Sequence, residues 1–208
     1  MKIIAHRGNN KNKNENRIEG LLKCLKEPYI DGVEFDIQMT KDCKFLLSHS
    51  NFLKTENGEI VAISRNNLSE LKKHSYEKNK KNYPLVTLEQ FLRKVNGNKI
   101  LLMELKVERQ EKEYAYYLKK ILKKFPLLNL WICSFNATVL SFFKKQYPIG
   151  LIKTRMINEK KNLNDFDFVS SKEKEKIPYF LWTINKKICF PEDKNFLGII
   201  TDSAMDFQ

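Results

Sequence analysis

Four cysteines in 208 residues, Cys24, Cys43, Cys133 and Cys189, stand far apart with no C-x-x-C pair among them. That spacing offers neither a disulfide framework nor a zinc-ligand pattern, so reduced thiols in a cytoplasmic protein are expected. No apolar run approaches the roughly 20 residues needed to span a bilayer. A strand pattern beginning within two residues of Met1 leaves no room for a signal peptide, which again points to the cytoplasm. Arginine is scarce, six of 38 basic residues, and the lysines are spread over most of the chain. The formal charge of +13 is therefore read as a solvated lysine surface able to steer an anionic substrate. No nucleic-acid module accompanies the charge, so nucleic acid is not an expected partner. Tandem repeats, linkers and low-complexity segments are absent, and residues 1–208 read as one domain.

What is present is a globular composition, 42% hydrophobic and 12% aromatic, with strands and helices in alternation. Strands are expected at Lys2 to His6, Val33 to Met39, Phe45 to His49, Ile100 to Val107 and Leu130 to Phe135. Further strands are expected at Ile149 to Ile152, Phe166 to Ser170, Tyr179 to Ile184 and Gly198 to Thr201. Helical periodicity covers Glu15 to Lys26, Leu68 to Lys73, Leu88 to Val95, Glu111 to Phe125 and Ala137 to Gln146. Thr87 and Gln90 form a capping-box pattern at the start of the third of these. Asn51 to Asn67, with its Glu56-Asn57-Gly58-Glu59 turn signal, reads as a small insertion after the third strand. Strands alternating with helices imply a parallel sheet, and this many repeats implies a closed (β/α)8 TIM barrel. Such barrels run to about 250 residues, so this one is expected to have reduced helices in its C-terminal half.

Ionisable residues sit where these apolar runs end: His6-Arg7-Gly8, Glu34-x-Asp36, His49 and Glu104-x-Lys106. Residues two apart on a strand share a face, so Glu34 joins Asp36 and Glu104 joins Lys106, while their apolar neighbours face the other way. Folding alone does not ask for carboxylates on buried strands, since an unpaired buried charge costs several kcal/mol. Three carboxylates, two histidines, an arginine and a lysine converging at strand ends suggest a metal-assisted phosphate site. The plainer reading is a barrel mouth closed by salt bridges of Arg7 or Lys106 to the acids, with no metal. His74, in a lysine-rich loop, is read as solvated.

The ordered set His6-Arg7-Gly8, Glu15-Asn16, Glu34-x-Asp36, His49, Glu104-x-Lys106, Trp182-Thr183-x-Asn185 and Thr201-Asp202 resembles the glycerophosphodiester phosphodiesterase family. The match runs from residue 3 to about residue 206, and Val33 to Asp42 is close to the family's second-strand motif. The resemblance implies a TIM barrel with its site at the C-terminal mouth, one divalent ion, Ca2+ or Mg2+, on Glu34, Asp36 and Glu104, and His6 and His49 as general acid and base. Oxygen ligands suit those ions and not zinc. It also implies Arg7 and Lys106 at the phosphate, Trp182 as a wall of the substrate pocket, and hydrolysis of a small glycerophosphodiester to glycerol phosphate and an alcohol. In the family the glycerol hydroxyl attacks phosphorus first, and water then opens the cyclic product. Glu15 and Asn16 are expected to orient the His6-Arg7 loop and Asp202 to serve as a hydrogen-bonding residue at the barrel end. Trp182 and Phe135 remain open between pocket wall and core packing. Three departures stand out. Ser50 follows His49 where the family has Asp, Asn14 replaces a proline before Glu15, and the late loops are short. The last of these suggests a more open mouth, a larger or polymeric substrate, and a homodimer covering exposed apolar barrel surface. Alternatives are a phospholipase D-like phosphodiesterase or lyase on a lysolipid or glycerol phosphate polymer, or a noncatalytic phosphodiester-binding barrel.

Overall fold

The computed structural model describes residues 1–9, 15–78, 81–107, 110–153, 162–186 and 189–207. In chain order the elements begin with β1 (Lys2–His6), α1 (Ile18–Lys26), β2 (Gly32–Met39), β3 (Phe45–Leu47), β4 (Phe52–Lys54), β5 (Ile60–Ala62) and α2 (Leu68–Leu71). There follow β6 (Tyr76–Lys78), β7 (Lys81–Tyr83), α3 (Leu88–Leu92), β8 (Ile100–Leu105), α4 (Glu111–Leu122), β9 (Leu130–Ser134) and α5 (Ala137–Ser141). The chain closes with β10 (Ile149–Ile152), β11 (Phe168–Ser171), β12 (Tyr179–Trp182) and β13 (Phe196–Thr201).

Eight of these strands pair in parallel in the order β1-β13-β12-β11-β10-β9-β8-β2, and β1 pairs again with β2 to close the barrel. The expected TIM barrel is therefore present. One stave differs from the sequence reading. Phe45–Leu47 pairs antiparallel with Ile37–Met39, so β3 is the second arm of a hairpin and β8 is the third stave. The physical reason lies in the connection: Thr40 to Lys44 is too short for the crossover of a dozen or more residues that parallel neighbours require. The insertion after β3 contains the β4–β5 and β6–β7 hairpins and α2. It has a small core of its own around Leu46, Ile63 and Leu71.

Alternation along the staves builds two apolar layers. Outward residues such as Val33, Phe35, Ile37, Leu101, Met103 and Leu105 meet the helices. Inward residues Ile4, Leu102, Cys133, Phe168, Phe180 and Ile200 fill the barrel floor. The inward residues nearer the strand ends are polar: Glu34, Asp36 and Glu104 are 3%, 0% and 6% exposed, which seats three acids directly above an apolar floor.

No α-helix follows β10 among the described residues, in keeping with the expected reduction of the C-terminal half. The barrel is not bare there. Val169, Tyr179, Leu181 and Ile199 remain buried, under partly buried residues that include Phe190, Phe196 and Phe207. Phe190 stacks on Phe196 with ring centroids 6.0 Å apart and lies 6.5 Å from Phe207, while Tyr179 meets Phe196 at 5.6 Å. Aromatic side chains from the short connections take the place of helices. Among the described residues, the large hydrophobic side chains that are exposed, Met1, Phe52, Ile60, Tyr116 and Leu127, lie on none of β10 to β13.

Candidate active site

Strand register brings the predicted acids and His6 to two successive inward positions along β2. His6 is opposite Glu34 across β1 and β2, and Asp36 is opposite Glu104 across β2 and β8. One oxygen from each of Glu34, Asp36 and Glu104 lies within 4.8 Å of the other two.

Asp36 is the hub. Arg7 Nε approaches its Oδ2 at 2.9 Å as an ion pair without hydrogen-bond alignment, and Lys106 Nζ lies 3.0 Å from its Oδ1. Asn16 donates its amide to Oδ2 at 2.9 Å and accepts the Asp36 backbone N–H at 3.0 Å. Burial pushes the Asp36 carboxyl up, but Lys106, Arg7 and the Asn16 hydrogen bond outweigh it and hold the pKa below the ordinary value. Glu104 accepts from Lys106 Nζ at 2.5 Å, yet burial and the neighbouring Asp36 charge push its pKa up to about 7. Burial, Asp36 and Glu104 together push Glu34 well above the carboxylate range. Glu34 Oε2 accepts the Arg7 N–H at 3.1 Å, whereas Oε1 is buried with no hydrogen-bond partner.

The two histidines are held differently. His6 Nδ1 lies 2.6 Å from Asp202 Oδ1, which directs Nε2 towards Glu34 Oε2, 3.7 Å away. Asp202 is itself fixed by Asn185, which donates to its Oδ2 at 2.9 Å and accepts its N–H at 2.9 Å. His49 stands exposed on the loop after β3, anchored through its carbonyl by Gln38 Nε2 at 3.3 Å. Partial desolvation and the charges of Arg7 and Lys106 lower its pKa against the opposing pull of Asp36 and Glu15. The Ser50 hydroxyl accepts the Phe52 N–H at 3.1 Å, the local turn bond that an aspartate there would also make. Asn14 lies outside the described residues.

Arg7 also donates to Glu15 Oε2 at 2.6 Å, so Glu15 and Asn16 brace the first loop against the acids, as expected of them. Trp182 packs edge-to-face on Phe135 with centroids 6.3 Å apart, and its Nε1 is buried without a hydrogen-bond partner. A cleft of about 590 Å³ opens beside these groups, lined by His49, Asn51, Glu104, Lys106, Ser134 and Phe135 among others. His6, Arg7, Glu104, Lys106 and Trp182 fall at the C-terminal ends of staves or just beyond them, Glu34 and Asp36 lie along β2, His49 follows the hairpin arm β3, and His74 stands apart beside Tyr76 in the insertion. The sequence reading missed Gln38. It is third in the inward series Glu34, Asp36, Gln38, so the period of two carried the signal.

The sequence profile of the glycerophosphoryl diester phosphodiesterase family matches residues 6–161. The chain belongs to that family. It is by membership a phosphoric diester hydrolase. A glycerophosphodiester phosphodiesterase from Caldanaerobacter subterraneus subsp. tengcongensis is 28% identical over 233 residues, covering 96% of this chain and 93% of the relative. The crystal structure of the Thermotoga maritima glycerophosphodiester phosphodiesterase matches with a TM-score of 0.74 and 24% identity, over 99% of this chain and 96% of that one. An Oleispira antarctica phosphodiesterase in complex with the product sn-glycerol-3-phosphate matches with a TM-score of 0.75 and 22% identity, over 99% and 97% of the two chains. These structural likenesses bear on the fold. No helix among the described residues is long and apolar enough to cross a membrane.

Proposed function

We propose that this mouth hydrolyses a glycerophosphodiester to glycerol phosphate and an alcohol, with His6 and His49 exchanging the protons and a divalent cation held by Glu34, Asp36 and Glu104. The observation that carries the reading is the acid cluster, three buried carboxylates with oxygens within 4.8 Å and one of them, Glu34 Oε1, without a partner. The three carboxylates offer hard oxygen donors, a set that fits Ca2+ or Mg2+. Such an ion, when bound, supplies positive charge for the phosphate oxygens and the attacking hydroxyl.

The residues supply the rest. The lowered pKa of His49 keeps its ring neutral at pH 7, the form that takes a proton from the glycerol hydroxyl as it attacks phosphorus. His6 then gives its proton to the departing alcohol oxygen from Nε2, with Nδ1 secured on Asp202. In the second half the roles reverse, as water opens the cyclic ester. Lys106 and Arg7, close to the acids, meet the growing negative charge on phosphate. The four free cysteines fit a cytoplasmic setting, where thiols stay reduced.

Release of glycerol 3-phosphate from a panel of glycerophosphodiesters, with Ca2+, Mg2+ or EDTA, tests the proposal. Turnover should need the ion, and His6→Ala or His49→Ala should each lose at least about 100-fold in kcat, the usual scale of general acid–base catalysis. Near-normal turnover by either variant removes that histidine from the mechanism, and product formation undiminished by EDTA removes the ion.

A further inference from the structure

We propose that the alcohol released here carries negative charge of its own, as a further phosphate group does, and that Lys172 selects for it. The inference rests on reading the mouth as a glycerophosphodiester site. The common alternative in leaving-group chemistry is a cation, and a quaternary ammonium is recognised over an aromatic face or beside a carboxylate. Both aromatic rings at this mouth already have an ammonium over them. Lys106 Nζ lies 5.9 Å from the Phe135 centroid, and Lys172 Nζ lies 5.5 Å from the Trp182 ring. The two rings also pack on each other, so neither offers a cage to a second cation.

The two lysines differ in how their charge is met. Lys106 is answered by Asp36 and Glu104. Lys172, exposed at the end of β11, has no carboxylate partner among the described residues. Acids in the same region are engaged elsewhere: Glu175 holds Lys153 Nζ at 2.9 and 3.1 Å, and Asp193 lies 3.6 Å from Lys174 Nζ. Beneath Lys172, on the inward faces of β11 and β12, Ser170 Oγ and Trp182 Nε1 are buried without hydrogen-bond partners. Ser170 is 2% exposed. The indole N–H can only donate, so it suits an oxygen acceptor of a ligand and not an ammonium, and the Ser170 hydroxyl can donate to the same acceptor. An unmatched cation above two unused donors describes an anion subsite on the side of the mouth away from β1 and β2.

Three substrates sharing the glycerol phosphate half separate the cases: glycerophosphocholine with a cationic leaving group, glycerophosphoglycerol with a neutral one, and a glycerol phosphate dimer ending in a phosphomonoester. Phosphorus NMR counts each ester. The expected order of kcat/KM is dimer, then glycerophosphoglycerol, then glycerophosphocholine. Lys172→Glu should cut the dimer-to-choline ratio by about tenfold, the size of one well-placed exposed charge pair or somewhat more after charge reversal. Lys176→Glu, on the same connection but without contact to Trp182, should leave the ratio alone. A preference for glycerophosphocholine, or a ratio unmoved by Lys172→Glu, overturns the inference. If no diester is hydrolysed, the functional proposal fails separately, and the subsite is still judged by binding of the same three compounds through quenching of tryptophan emission. Equal binding of all three would overturn it there.

Discussion

Glu104→Gln should stabilise the ion-free protein at pH 8 while weakening divalent cation binding. In the fold the Glu104 carboxyl is pushed from its ordinary 4.5 up to about 7, by burial and by Asp36, against the favourable pull of Lys106. A raised acid pKa means the folded chain holds its proton more tightly than the unfolded one. Stability attributable to this group is therefore lost as pH rises from about 4.5 to about 7, and the loss is complete above that window. The gap corresponds to about 3 kcal/mol at pH 8. Glutamine keeps an oxygen for Lys106 Nζ and carries no charge against Asp36, so it recovers most of that. For a chain of this length the melting temperature should rise by roughly 5–10 °C in EDTA at pH 8, and by little at pH 5. Calorimetric or circular-dichroism melts at the two pH values measure it. Saturating Ca2+ or Mg2+ should raise the melting point of the wild type more than that of the variant, since binding to the native state adds stability. A Gln variant less stable than wild type at pH 8 in EDTA would show that the Lys106 pair outweighs burial and that the charge imbalance described above is wrong.

Two further substitutions probe the supports. Asp202→Asn removes the charged partner of His6 Nδ1 and should lower kcat by about 10- to 100-fold with little change in KM, because a hydrogen bond to a charged group is worth roughly 1.5–3 kcal/mol. In a His6→Ala background the same change should add almost nothing, and full additivity there would mean that Asp202 acts elsewhere. Gly150→Ala places a methyl carbon 2.1 Å from the Phe168 ring, its register partner on β11, and should destabilise the barrel by about 1–3 kcal/mol in thermal melts. Combining it with Phe168→Leu should restore part of the loss, and a double variant no better than the single would place the strain elsewhere.

Legibility in the sequence followed the range of the physics involved. The period of two along Val33 to Met39 and Ile100 to Leu105 already sorted the acids from the core, and the Thr87–Gln90 capping box appears as read. The strand read at Phe45 is present, but its pairing was not legible, because a short apolar run looks the same in a hairpin arm and in a barrel strand, and only the five-residue connection separates them. The expected helix from Ala137 to Gln146 ends at Ser141, and the expected one from Glu15 starts only at Ile18. At its start, residues 15 and 16 are drawn off to Arg7 and Asp36, and tertiary bonds of this kind override helical propensity. The His6–Asp202 bond joins residues 196 positions apart, and nothing local marks it. Lys172 was hidden for a different reason. In a chain so rich in lysine, one more ammonium acquires meaning only from the ring it covers.

The mouth holds three acids against two close cations, and the fold does not share that charge evenly. Asp36 takes ion pairs from both Arg7 and Lys106 together with the Asn16 amide, and it alone of the three is held low in pKa. Glu34 and Glu104 are raised, partly because Asp36 stays ionised beside them. Without an ion the cluster thus has one firmly charged carboxylate and two that hold protons more readily than usual, which limits repulsion among them. A divalent cation must displace those protons, so its binding should be proton-linked and should weaken as pH falls below about 7. Titrating Ca2+ or Mg2+ in two buffers of different ionisation enthalpy counts the protons released. Release near neutral pH supports Glu34 and Glu104 as the ligands that give them up, and ion binding without proton release would mean that the ion sits outside the cluster.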